Sequence, residues 1–162
     1  MKTGKAVFAA GCFWGVQHLF GQAEGVVSTR AGYAGGHMEK PAYKAVCSGK
    51  TGHAEAVEVT FDPARTSYEK LVRLFFEIHD FTQTDGQGPD IGEQYRSEIF
   101  CLDKGQKKIA EKIIAELKRK GYKVATKVTK AGPFWEAEEY HQHYYRKKNG
   151  TPYCHFGRRV FS

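Results

Sequence analysis

Hydrophobic and polar residues alternate with period two over residues 54–61. Val57, Val59 and Phe61 fall on one face of the strand that this pattern predicts, because successive side chains of a strand point to opposite faces. Glu55 falls on the same apolar face. The pattern therefore predicts a half-buried strand that carries a carboxylate among its buried side chains.

Comparable patterns predict further strands and helices along the chain. Strands are expected where short apolar runs end at turn residues, and helices where apolar residues recur three or four apart. The predicted strands cover residues 5–10, 26–33, 54–61, 98–102 and 122–129. The predicted helices are 13–20, a segment that follows a Thr66–Glu69 capping box, a segment between an Asp103 cap and a Gly121 stop, and 137–147.

The order of these elements predicts an α+β fold, a two-layer α/β sandwich around a mixed sheet with a ferredoxin-like core. A doubly wound parallel sheet is the alternative, although few connections have the spacing of parallel crossovers. Residues 35–52 and 80–95 are predicted as long glycine-rich loops, and residues 150–162 as a coil tail. The 162 residues are 41% hydrophobic and show no linker or repeat, so a single domain over 1–162 is expected.

The formal net charge of +7 would attract anions in general. Much of the excess lies over residues 104–130, on the predicted solvent face of a helix. No zinc-finger spacing or RNP-like motif is present, so a nucleic-acid partner is not expected. No apolar run approaches the ~20 residues that cross a bilayer, and the N-terminal apolar stretch is too short for a signal peptide. We therefore expect a cytoplasmic protein without a membrane partner, and a monomer.

Four cysteines are spread along the chain, at Cys12, Cys47, Cys101 and Cys154. None forms a C-x-x-C pair, so neither a zinc ribbon nor a thioredoxin-like site is indicated. Permanent disulfides are unusual in cytosolic proteins. Each cysteine is therefore either a buried small hydrophobe or a reactive thiol.

Cys12 has the strongest signs of reactivity. It lies between a predicted strand and a predicted helix, with Gly11 before it and Gly15 after the next two residues. The unpaired N–H groups and the dipole at a helix N-terminus favour a thiolate and lower the pKa of a thiol. Phe13 and Trp14 would line an apolar pocket beside the sulfur. The alternative is a cysteine buried in the core of a basic RNA- or protein-binding module.

Glu55 supplies a second sign. Burial of a lone carboxylate raises its pKa and keeps it protonated, and a neutral acid beside the Cys12 thiolate forms an acid–nucleophile pair. A salt bridge between Glu55 and a lysine is the alternative. A cysteine hydrolase or peroxidase also remains open, although no sequence feature places a histidine next to Cys12.

Seven short motifs follow one another along the chain. They are GCFWG at 11–15, GYAGG at 32–36, YKAVCSG at 43–49, TGHAEAV at 51–57, QGPDIGEQYRS at 87–97, AEEYHQ at 137–142 and YCHF at 153–156. In this order they resemble the motifs of the class A peptide methionine sulfoxide reductases. The resemblance implies reduction of methionine-S-sulfoxide, free or in proteins, and thereby repair of oxidised proteins.

The resemblance also implies roles for individual residues. The Cys12 thiolate attacks the sulfoxide sulfur, neutral Glu55 donates a proton to the oxygen, and the hydroxyls of Tyr43 and Tyr95 hydrogen-bond the same oxygen. In the substrate pocket, Phe13 and Trp14 hold the S-methyl group, and Asp90 matches the family's pocket aspartate.

Turnover in the family passes through a sulfenic acid on the attacking cysteine, which a second thiol resolves as a disulfide. The resemblance makes Cys154 the resolving cysteine and thioredoxin the reductant, with Cys47 as the second choice for resolution. Cys101 is expected to be buried and inert. Neither a metal nor another cofactor is expected.

Overall fold

The computed structural model describes residues 2–148 and 160–161 of the chain. The strands in these residues are β1 Gly4–Ala10, β2 Val26–Ala34, β3 Ala54–Phe61, β4 Gly86–Gln87, β5 Asp90–Ile91, β6 Ser97–Cys101, β7 Lys127–Lys130 and β8 Trp135–Glu136. The helices are α1 Phe13–Gly21, α2 Tyr43–Cys47, α3 Tyr68–Glu77, α4 Lys104–Arg119 and α5 Tyr144–Lys148, with 3₁₀ turns at Glu93–Tyr95 and Glu139–His141. The predicted coil tail lies largely outside the described residues.

Among the described residues, six strands form one mixed sheet in the order β7-β6-β1-β3-β2-β8. Neighbouring strands are antiparallel except β6 and β7, which are parallel. The succession β1-α1-β2-β3-α3-β6 with the spatial order β6-β1-β3-β2 is the ferredoxin-like arrangement. The predicted α+β fold is therefore confirmed, and the doubly wound parallel sheet is excluded.

The helix-covered face of the sheet holds an aromatic core. Phe8 of β1 stacks against Phe20 of α1 at 5.0 Å between ring centroids and against Phe75 of α3 at 5.3 Å. All three rings are fully buried. Burial of one such side chain stabilises the fold by roughly 1.5–3 kcal/mol, so these contacts hold α1 and α3 firmly on the sheet.

The opposite face of the sheet is lined mainly by small side chains, with one large ring, Phe100. Its buried residues are Val7, Ala9, Ala34, Ala54, Ala56 and Phe100. Ala131 and Phe134, from the segment between β7 and β8, pack against them. This face is therefore covered by irregular chain rather than by a helix. None of the described helices is both long and apolar enough to cross a bilayer.

The capping-box prediction at Thr66 is wrong by one residue. Ser67 is the N-cap of α3, where its hydroxyl accepts a hydrogen bond from the Lys70 N–H at 3.2 Å. The N–H of Thr66 instead donates to the carbonyl of Asp62 at 3.0 Å, in the turn that follows β3. Because this turn already engages the backbone of Thr66, the helix begins one residue later. The caps predicted for α4 at Asp103 and Gly121 are confirmed.

The helix predicted over 137–147 is reduced to α5. His143 has a φ of +53°, a left-handed conformation that interrupts a right-handed helix before Tyr144. Before that point, Gln142 turns its amide onto β2, where its Oε1 accepts from the Ala31 N–H at 2.9 Å and its Nε2 donates to the Ala31 carbonyl. This buried pairing with the sheet replaces helical hydrogen bonds.

The sheet register brings the ends of three strands together. Phe8 lies opposite Val57 in the antiparallel pair of β1 and β3, so the start of β3 lies beside the end of β1. Ala10, the last residue of β1, lies opposite Ser97, the first residue of β6. Residues just after β1, at the start of β3 and just before β6 therefore meet at one end of the sheet.

Candidate active site

Cys12 follows β1 directly and is the N-cap of α1, with φ −54° and ψ 120°. Gly11 has a φ of +92°, a conformation that favours glycine, and it makes the tight turn between strand and helix. Only 7% of Cys12 is exposed. The thiol therefore lies at a helix N-terminus, as the sequence predicts, with narrow access from the surface.

Glu55 lies at the start of β3 and is 1% exposed. Its Oε1 accepts a hydrogen bond from the Phe13 N–H at 3.1 Å, in the first turn of α1. Its Oε2 is buried and has no hydrogen-bond partner among the described residues. No described lysine, arginine or histidine forms a salt bridge with Glu55. Burial raises the pKa of Glu55 from 4.5 to about 8, and the charge of Asp90 adds to the shift, while the bond from Phe13 opposes it. The carboxyl is therefore mostly protonated at neutral pH.

Tyr43 and Tyr95 are half-buried and close to this carboxyl. Burial raises the pKa of Tyr43, and a hydrogen bond with Cys47 and the charge of Glu55 raise it further. Burial is also the main cause that raises the pKa of Tyr95. The nearby acidic groups raise this pKa further, Glu55 foremost among them. Both phenols therefore stay protonated, so each has an O–H to donate.

The 3₁₀ turn that carries Tyr95 is fastened to the loop before β3 by Arg96. The Arg96 guanidinium donates to the carbonyl of Gly52 at 3.0 Å and to the carbonyl of Glu93 at 3.1 Å. Its Nε donates to Glu98 Oε1 at 2.7 Å. Because Arg96 and Glu98 are both largely buried, this ion pair fixes the guanidinium with little competition from water, and the bond to Gly52 then joins the two segments.

Aromatic rings adjoin the helix start. Phe13 is fully buried, and its ring lies 5.6 Å from Tyr33 and 5.2 Å from His141 between centroids. Trp14 is half-buried, stacks on Tyr144 at 3.8 Å and donates its Nε1–H to His141 Nδ1 at 2.9 Å. Of the two residues predicted to line the pocket, Trp14 is therefore partly exposed and Phe13 is fully buried.

Two residues near these rings were not assigned roles from the sequence. His141 accepts at Nδ1, so its remaining proton is on Nε2, which is buried without a partner among the described residues. Burial lowers the pKa of His141, which keeps the ring neutral. Glu138 bonds the backbone of Tyr43. The AEEYHQ motif marked both positions, but no local pattern indicated which distant residues they contact.

The other cysteines have different surroundings. Cys47 is exposed at the end of α2. Cys101 is buried in the core at 3% exposure, as its strand position predicts. Cys154, the predicted resolving cysteine, lies outside the described residues. In the part of the chain that is described, no group of three or more histidine, cysteine or acidic side chains has the arrangement of a metal site.

Comparison with known proteins gives a consistent result. A family model described as peptide methionine sulfoxide reductase matches residues 4–161. The peptide methionine sulfoxide reductase MsrA of Methanothermobacter thermautotrophicus is 52% identical over 146 residues, which cover 88% of this chain and 86% of that protein. Reduced Mxr1 from Saccharomyces cerevisiae superposes with a TM-score of 0.92 at 37% identity, over 98% of this chain and 93% of Mxr1. Mxr1 in complex with Trx2 superposes with a TM-score of 0.68 at 27% identity, over 98% of this chain and 91% of that chain.

Proposed function

Since the chain belongs to the peptide methionine sulfoxide reductase family, we propose that its Cys12 thiolate reduces methionine-S-sulfoxide to methionine, with Glu55 as the acid. The enzyme is a peptide-methionine (S)-S-oxide reductase, which acts in thioredoxin-linked repair of oxidised proteins. Assignment of the chemistry to individual residues rests on the geometry of the site.

One observation carries the assignment. The Phe13 N–H, directly after Cys12, donates to Glu55 Oε1 at 3.1 Å, while Glu55 Oε2 is left without a partner among the described residues. The bond ties the acid to the helix start that carries the thiol. The free oxygen of a protonated carboxyl then has a proton to donate beside the sulfur.

The reaction balances with these two groups. The Cys12 thiolate attacks the sulfoxide sulfur, and Glu55 transfers its proton to the sulfoxide oxygen. The S–O bond of the substrate breaks and an S–O bond to Cys12 forms, so methionine leaves and Cys12 becomes a sulfenic acid. The substrate sulfur gains two electrons that Cys12 loses. Glu55 regains its proton from solvent.

We assign the phenols of Tyr43 and Tyr95 as hydrogen-bond donors to the sulfoxide oxygen. Their protonated hydroxyls stabilise the negative charge that develops on the oxygen as sulfur attacks, before the proton has moved. Because both phenols are held on short helical segments close to Glu55, they require little reorganisation during the reaction. Asp90 contributes through its charge, which favours the protonated form of Glu55.

The pocket distinguishes the two sulfoxide epimers. We propose that the S-methyl group meets the partly exposed ring of Trp14, with the fully buried Phe13 ring forming part of the pocket's base, whereas the oxygen donors are fixed on another side. With dithiothreitol as reductant and racemic N-acetylmethionine sulfoxide as substrate, we expect loss of the S epimer and retention of the R epimer on chiral chromatography. Equal consumption of both epimers, or of neither, would contradict the proposed activity; a reaction without protein is the control.

The sulfenic acid is resolved by Cys154. Condensation of the Cys154 thiol with the sulfenic acid releases water and forms a Cys12–Cys154 disulfide, which the thioredoxin dithiol then reduces. The Trx2 complex of Mxr1 supports thioredoxin as the partner. Cys47 is the second choice for resolution because it is exposed and hydrogen-bonded to Tyr43.

The choice of resolving cysteine predicts the product of one turnover without reductant. We expect peptide mass spectrometry to find a Cys12–Cys154 link in the wild type and in Cys47→Ser. In Cys154→Ser, dimedone should instead trap a sulfenic acid on Cys12, and turnover with thioredoxin should be lost. A Cys12–Cys47 link, or a trapped sulfenic acid in the wild type, would refute the role of Cys154.

We also propose a location, an assembly state and partners for the enzyme. A cycle that depends on free thiols suits a reducing compartment, so we place the enzyme in the cytoplasm. It acts as a single domain over 1–162 and as a monomer, with methionine sulfoxide and thioredoxin as its partners. Neither a metal nor another cofactor has a step in the cycle.

A further inference from the structure

Glu138 lies before the 3₁₀ turn that precedes α5, and both of its carboxylate oxygens are engaged. Oε1 accepts a hydrogen bond from the Tyr33 hydroxyl at 2.9 Å, and Oε2 accepts one from the Tyr43 N–H at 3.0 Å. The Tyr140 hydroxyl reaches Oε2 at 3.5 Å. Two of these donors, Tyr33 and Tyr43, are about a hundred residues away in sequence, at separations of 105 and 95 residues.

These bonds join α2 to the sheet. Tyr43 is the first residue of α2, a helix of five residues within a long loop. The hydrogen bonds from Tyr33 and Tyr43 to Glu138 therefore link the backbone of Tyr43 to β2. On β2, Tyr33 lies opposite Glu55, the proposed acid, in the register with β3.

Within residues 2–148 and 160–161, few other hydrogen bonds hold the start of α2. Its N-cap, Ala42, has no side chain that can cap the helix. The Tyr43 ring packs against His141 at 4.3 Å and Phe13 at 6.3 Å. The Tyr43 hydroxyl shares a hydrogen bond with Cys47. Because Cys47 belongs to the same short helix, that bond moves with α2 and leaves the helix free to shift against the sheet. A hydrogen bond to the Tyr43 backbone removes that freedom, because it fixes the point from which the ring extends.

We infer that Glu138 is a positioning residue for the reductase step, which holds α2 so that the Tyr43 hydroxyl meets the sulfoxide oxygen. The inference rests on the proposed role of that hydroxyl. Burial alone would raise the pKa of Glu138, but the hydrogen bonds from Tyr43 and Tyr33 outweigh it and lower the pKa. The group is therefore an ionised acceptor at neutral pH, and such charge-assisted bonds are the stronger ones.

Glu138 acts through Tyr43 rather than on the substrate, because protein donors already occupy both of its oxygens. Its loss should therefore slow the chemical step and leave substrate binding at Phe13 and Trp14 unchanged. In Glu138→Ala we expect kcat to fall by about 10- to 100-fold with KM unchanged, since misplacement of a reacting group by about 1 Å has effects of this order.

A double-mutant cycle with Tyr43→Phe tests the inference, with kcat measured under dithiothreitol. Tyr43→Phe should also lower kcat by about 10- to 100-fold. Adding Glu138→Ala to Tyr43→Phe should then produce no further loss, because no hydroxyl remains to be positioned. A full multiplicative loss in the double variant would overturn the role of Glu138 while leaving that of Tyr43 intact. Wild-type kcat in Tyr43→Phe would instead remove the proposed role of Tyr43, and the inference with it.

Three further variants separate positioning from folding. Glu138→Gln keeps an acceptor for the Tyr43 N–H, and the Tyr33 hydroxyl can rotate to accept from its amide, so most of kcat should return. Tyr33→Phe removes only one bond and should lower kcat by about 3-fold. Glu139→Ala, at an adjacent side chain that is 88% exposed, should match the wild type. Equal loss in Glu138→Gln and Glu138→Ala, or an unfolding midpoint that falls in step with kcat, would contradict the inference.

Discussion

Replacing Cys12 by serine is expected to lower methionine sulfoxide reduction by about 10⁴-fold or more, as is typical when a catalytic nucleophile is removed. A serine hydroxyl is un-ionised at neutral pH and is a weak attacking group toward sulfur. It also cannot take up the oxygen as a sulfenic acid, so the transfer has no product. The rate of methionine formation with dithiothreitol measures the effect, because this reductant makes turnover independent of the resolving cysteine.

Cys101→Ser is the matched control for this substitution. Cys101 is buried beneath Tyr68 at the far end of β6, so its replacement should leave kcat close to that of the wild type. In Cys12→Ser, dimedone should not label position 12, because serine cannot form a sulfenic acid. If Cys12→Ser kept more than a few per cent of wild-type turnover, Cys12 would not be the nucleophile.

Replacing Glu55 by glutamine is expected to lower kcat by about 10²- to 10⁴-fold, the usual contribution of general acid catalysis. The amide keeps an oxygen that accepts from the Phe13 N–H, so the local structure should remain. It has no acidic proton to transfer to the sulfoxide oxygen. The variant therefore isolates the proton transfer from the burial and the hydrogen bond that place the group.

The pKa of Glu55 sets the sign of the pH dependence. The acid acts in its protonated form, and burial raises its pKa from 4.5 to about 8. Its contribution is therefore present at neutral pH and is lost as the pH rises through about 8. In the wild type, kcat/KM should fall about tenfold per pH unit above that value, whereas Glu55→Gln should lack this alkaline limb.

Glu58→Gln is the control on the same strand. Glu58 lies on the opposite face of β3, where it pairs with Arg30 at 2.9 Å, so its replacement should preserve both rate and pH profile. If kcat/KM of Glu55→Gln fell at high pH with the same slope and midpoint as in the wild type, a group other than Glu55 would cause the fall. Glu55 would then not be the acid.

Local patterns predicted the parts of the site, but not their contacts. The alternation over 54–61 correctly predicted that Glu55 is buried, because side-chain direction along a strand is a local property. The glycines around Cys12 likewise indicated the turn into α1. The role of Glu138 had no such signal, since its partners Tyr33 and Tyr43 are 105 and 95 residues away.

The errors in the predicted elements have the same origin. The aromatic segment 137–147 has helical spacing, yet Gln142 pairs with Ala31 of β2, 111 residues away, and this pairing prevents a helix there. Similarly, the strand predicted over 122–129 is reduced to β7, since only residues from Lys127 onward pair with β6. Tertiary hydrogen bonds outweighed local propensity in both segments.

By itself, the sequence determined the α+β order of elements, the burial of Glu55 and the placement of Cys12 at a helix start, because each follows from spacing along a few residues. Its seven motifs also identified the reductase family. Only the tertiary structure decided that the Phe13 N–H meets Glu55, 42 residues away, and that Tyr95 lies beside them. Those contacts depend on the antiparallel register of β1 with β3 and β6, which brings the ends of three strands together and which no local pattern encodes.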